Sequence, residues 1–85
     1  MTIRLTNDVY EKIQRHGEKD YPHECCGFLI GRVQDGERIV EEIREQKNER
    51  NTSQTTRFLI SPKAFKDAED YARDTDQEML GIYHS

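Results

Sequence analysis

The residues best suited to chemistry lie in one stretch, Tyr21-Pro22-His23-Glu24-Cys25-Cys26-Gly27-Phe28-Leu29-Ile30-Gly31. Glu24 stands at its mouth, just after Pro22 and His23. From Cys25 to Ile30 no residue is charged, in a sequence whose residues are 35% charged. A short apolar run bounded by proline and glycine reads as a strand buried on both faces. A carboxyl group where such a strand emerges can be tuned by burial and by its neighbours, as proton transfer requires. The plainer alternative is a surface glutamate that begins a strand. This stretch alone favours that alternative, because short motifs are weak signals.

The other reactive types carry less. Cys25 and Cys26 are adjacent, so in a strand they point to opposite faces and suit a mutual disulfide poorly. They read as small buried side chains rather than metal ligands or a redox pair, and the spaced cysteine pairs of structural zinc sites are absent. His16 borders a helical stripe and reads as a packing or solvated histidine. His84 ends an apolar run, Met79-Leu80-Gly81-Ile82-Tyr83-His84.

The elements that must position these residues alternate in period. Ile3 to Leu5 suits a first strand. Thr6 or Asn7 can cap a helix near residues 7–19, with Asp8 favourable at its positive end. Val9, Tyr10, Ile13 and Gly17 share one face of it, and Gly17 and Pro22 end it. After the strand near 25–34, Asp35-Gly36 suits a two-residue turn into a partner strand near 37–44. That turn sets Phe28 opposite Ile43 and Arg32 opposite Ile39. Residues 45–56 lack large apolar side chains and read as an exposed loop. Asn51-Thr52-Ser53 in that loop matches a glycosylation sequon, to which little weight attaches without a secretory signal. A strand is expected at 57–60. Ser61-Pro62 starts a helix near 62–77, whose core face is Phe65, Ala68, Ala72, Thr75 and Met79. A last strand follows at 79–84. The fold class is α+β, a mixed sheet with flanking helices, in a single domain over 1–85.

Composition bounds the function. Eighty-five residues with 33% hydrophobic content make a lean core. Net charge is −4, and lysines and arginines are scattered, which gives nucleic-acid binding no support. No stretch is long enough to span a bilayer, and no signal-peptide core is present, so the sequence reads as cytoplasmic.

Three blocks then stand in order: Tyr21 to Gly31, Arg57-Phe58-Leu59-Ile60-Ser61-Pro62, and Gly81-Ile82-Tyr83-His84-Ser85. Together they resemble the first two-thirds of a JAMM (MPN-type) zinc metallopeptidase domain, of the compact prokaryotic kind with a three-layer α/β build. The resemblance implies hydrolysis of peptide or isopeptide bonds, including those at the C-terminal tails of ubiquitin-like or sulfur-carrier proteins. It assigns Glu24 as the catalytic carboxylate. The family's metal motif is His-x-His-Pro followed by Ser-x-x-Asp. His84 matches its first histidine and Ser85 the residue between, and the remaining ligands fall beyond the sequence.

In such a domain zinc brings the pKa of its water to about 7. The carboxylate takes a proton from that water and hands it to the departing amine. With one ligand of the three that a catalytic zinc site generally uses, the 85 residues alone are expected to bind zinc weakly and to be inactive. The last strand is expected to leave an apolar edge that pairs with a second copy. Two alternatives stand beside this reading: a non-catalytic scaffold of the same fold, and an unrelated small α+β binding module.

Overall fold

The computed structural model describes residues 2–46 and 60–84. They form strand β1 (Thr2–Leu5), helix α1 (Asn7–Asp20), strands β2 (Cys26–Gln34) and β3 (Glu37–Gln46), helix α2 (Pro62–Asp74) and strand β4 (Glu78–His84). The sheet runs β1-β3-β2-β4, with β1 parallel to β3 and the other neighbours antiparallel. This is the mixed sheet with flanking helices expected of an α+β fold.

Helix α1 begins where its cap requires, with the Val9 amide donating to Thr6 Oγ1 at 3.1 Å. It runs through Gly17 to Asp20, one residue past the expected end near 19. One glycine costs a helix only about 1 kcal/mol, which neighbouring turns and packing override. The Tyr21–Pro22 peptide that follows is cis. Helix α2 opens with the Ala64 amide donating to Ser61 Oγ at 3.1 Å. It ends at Asp74, three residues before the expected 77. Thr75 was expected on the core face. Instead its hydroxyl donates to the Tyr71 carbonyl at 2.9 Å, and Asp76 takes a positive φ of 60° that breaks the helix.

β2 is the spine of the sheet. Cys26 to Gly31 are all buried, as a strand covered on both faces demands. Its side chains alternate between two cores. Leu29 packs with Val40, Leu80 and Val9 of α1. Phe28 and Ile30 pack with Ala68 and Ala72 of α2. Two helices therefore cover opposite faces, giving three layers.

The hairpin turn is as expected, with Asp35 and Gly36 both at positive φ, 51° and 78°. Arg32 lies opposite Ile39, but Phe28 faces Arg44 rather than Ile43, which pairs with Leu29. The register shifts because Ile30 pairs with Glu42 and Gly31 with Val40, leaving Glu41 as an extra residue. The extra residue lets Val40 and Ile43, three apart, reach the same core under α1. Gly31 makes the shift possible, since a Cβ there would run into the Ile39 carbonyl oxygen. A second shift on the other side of β2 leaves Leu80 unpaired, so that Leu80 and Tyr83 share that core too.

β3 continues through Gln46, so Glu45 and Gln46 belong to the sheet and not to the expected loop. The rest of that loop with its sequon, 47–56, and positions 57–59 of the expected strand lie outside the described residues. Ile60 packs against the core under α2 but is not in a strand. Among the described residues, no helix is long and apolar enough to cross a membrane.

Candidate active site

Glu24 is half-buried in the short link between α1 and β2. It lines an open cleft with His16, Lys19, Asp20, His23 and Glu45. His84, at the exposed end of β4, pairs with Cys26 at the start of β2. Antiparallel pairing thus brings the two candidate residues to one end of the sheet, with Glu24 two positions before the partner of His84. They line separate concavities, however: His84 borders the one lined by Tyr10, Ile13, Cys25 and Tyr83.

Cys25 and Cys26 are buried and not joined by a disulfide, as a packing role requires. Burial pushes the Cys26 thiol up, and the neighbouring Cys25 and Asp20 add to this. A raised pKa lowers the fraction of Cys26 present as the nucleophilic thiolate.

His16, at the border of the α1 stripe, also lines the cleft of Glu24, which its sequence neighbours do not indicate. It is 3% exposed, the one polar or charged residue buried among the described residues. Its Nδ1 lies 2.8 Å from the Tyr83 hydroxyl, and its Nε2 lies 3.2 Å from Asp20 and 3.8 Å from Glu45. A carboxylate only accepts, so Nε2 carries a hydrogen toward Asp20. In the neutral ring Nδ1 then accepts the Tyr83 hydroxyl hydrogen. The two rings meet edge to face at 5.8 Å between centroids.

The charges around this pair are balanced locally. Lys19 donates to Glu45 Oε1 at 2.8 Å. That hydrogen bond holds the Glu45 carboxyl below its usual range and raises Lys19 above its own. Burial pushes the Tyr83 phenol well above the ordinary tyrosine range, and the Glu45 carboxylate adds to the shift. The phenol therefore stays protonated and able to donate. The sequence did hold part of this signal: Val9, Ile13, His16 and Asp20 recur at four, three and four residues, one helix face. The tyrosine partner, 67 positions away, gave none.

Among the described residues, no group of three or more His, Cys, Asp or Glu side chains could hold a metal ion. His84 stands as one candidate ligand without the others, so these residues do not fit a zinc site by themselves.

The family model for prokaryotic homologs of the JAB domain matches residues 6–85. The chain belongs to this JAB family. The solution structure of a protein from Desulfitobacterium hafniense is similar to this JAB chain at 29% identity and a TM-score of 0.84, over 98% of the chain and 56% of that protein. A second, from Salinibacter ruber, is 32% identical with a TM-score of 0.67, over 99% of the chain and 54% of that protein. The JAB chain thus spans about half the length of either. No curated protein matches it.

Proposed function

We propose that this chain is part of a longer JAB domain, with Glu24 as its catalytic carboxylate, that hydrolyses peptide or isopeptide bonds. What supports the reading most is the pairing of His84 with Cys26, which sets the candidate ligand and Glu24 at one end of a sheet of the JAB family. Glu24 takes a proton from the attacking water and returns it to the departing amine as the bond breaks. Zinc is proposed for the longer domain only, with His84 as one of its ligands, and the residues described give it no further partner.

The substrates proposed are proteins with a ubiquitin-like or sulfur-carrier tail, met in the cytoplasm. Pairing of two copies through the outer edge of β4 is part of the same reading, and sedimentation tests it. A non-catalytic, partner-binding domain of the same fold is the second reading. One assay separates the two. The full-length protein is incubated with a sulfur-carrier or ubiquitin-like protein extended past its C-terminal tail, and products are weighed by mass spectrometry. Release of the extension is expected. Binding without any cut would favour the second reading.

A further inference from the structure

We propose that His16 and Tyr83 form a positioning pair, which ties α1 to the end of β4 and thereby sets His84 relative to Glu24. The catalytic part of this inference rests on the hydrolytic function proposed above.

The tie is built from both sides. On β2, Gly27 pairs with Tyr83, and a Cβ at Gly27 would run into the Tyr83 ring. The missing side chain lets the ring lie close over the strand. The ring's hydroxyl then reaches His16 Nδ1 at 2.8 Å. The opposite nitrogen of His16 faces Asp20 on its own helix and Glu45 on β3, and Glu45 is in turn bonded by Lys19. One buried imidazole thus links α1, β3 and β4. The arrangement would serve little purpose in packing alone. An apolar side chain at position 16 could fill the space without the cost of burying a ring with two polar atoms. Its location carries the functional argument. Tyr83 is the residue before His84, and His16 lines the same cleft as Glu24. β4 is an edge strand, paired only with β2 among the strands described, so its end has few other restraints.

A group one ångström out of place can cost a large factor in rate even when it touches no substrate. A positioning pair should therefore act on turnover rather than on substrate binding. The test uses the full-length protein with three variants: Tyr83→Phe, His16→Leu and His16→Asn. Hydrogen exchange is followed at residues 82–84 and, as a control, across β1 and β3, alongside kcat and KM for the tail-cleavage reaction.

Tyr83→Phe keeps the ring and its packing and removes only the hydroxyl. Exchange at 82–84 is expected to rise about two- to tenfold, the loss of one net hydrogen bond, with β1 and β3 unchanged. kcat should fall while KM holds. His16→Leu should do the same, and His16→Asn, which keeps a polar group near Nδ1, should recover most of the loss. Unchanged exchange at 82–84 in Tyr83→Phe would overturn the tie. Faster exchange with kcat intact would overturn its positioning role. A protein that cuts no tail at all would overturn the proposed function instead, and the exchange data would then decide the tie by themselves.

Discussion

Beneath α2 the sheet meets helix with apolar surface, Phe28 and Ile30 against Ala68 and Ala72, and the Phe28 and Phe65 rings pack edge to face at 5.2 Å. The polar groups of that layer include Tyr71, which donates to Glu42 at 2.6 Å, and Arg44, whose guanidinium lies 4.2 Å above the Tyr71 ring with its Nε buried. Beneath α1 the same sheet keeps an apolar patch of Val9, Leu29, Val40 and Leu80, but continues it into His16, Tyr83 and the carboxylates of Asp20 and Glu45. One face spends its buried area on stability and the other gives up part of it to fix polar groups. The candidate carboxylate Glu24 opens onto the polar side. A site that must hold a particular geometry is built where hydrogen bonds, which are directional, take over from packing, which is not.

The comparison breaks most readily at its apolar side. Phe28→Ala should cost about 3–5 kcal/mol in chemical denaturation, as deleting a buried aromatic ring does. A loss below about 1 kcal/mol would mean that the α2 layer collapses around the gap or contributes little. On the polar side, Gly27→Val should cost about 1–3 kcal/mol, because the added side chain displaces the Tyr83 ring. It should also loosen the end of β4, whereas Phe28→Ala should not do so selectively.

A smaller effect sharpens the contrast through pH. The Tyr83 phenol is raised in the folded protein, so folding favours its protonated form. That contribution is fully present below the unfolded tyrosine value of about 10 and is lost as pH rises from there toward the folded value. Cys26 acts in the same direction from its own lower starting value. Denaturation of Tyr83→Phe across alkaline pH should therefore show a shallower loss of stability than the unsubstituted protein. Equal slopes would mean that Tyr83 is more open to solvent than its contacts indicate.

The apolar side was the more legible of the two in sequence. Ser61-Pro62 and the spacing of Phe65, Ala68 and Ala72 announced α2, and the uncharged run from Cys25 to Ile30 announced a strand buried on both faces. Local cues such as caps and turns act over a few residues, and here they worked. What escaped was non-local. The extra residue at Glu41 exists because Val40 and Ile43 must both face α1, a demand made by tertiary packing and not by the Asp35-Gly36 turn. His16 looked like an ordinary helical histidine because its partner Tyr83 sits on another strand. Glu24 was legible as a candidate from its neighbours alone, and His84 only through resemblance to a family. Their approach at one end of the sheet came from the pairing of β2 with β4.

The central claim is that Glu24 moves the proton in hydrolysis, and substitution by its own amide tests it most directly. Glu24→Gln in the full-length protein keeps the shape of the side chain and removes its ability to accept a proton at neutral pH. Turnover of a tail-extended ubiquitin-like or sulfur-carrier protein should fall by about a hundredfold or more, with unfolding midpoint and KM close to those of the parent. A variant that folds as the parent does and keeps most of its turnover would contradict the account, and would remove Glu24 from the mechanism.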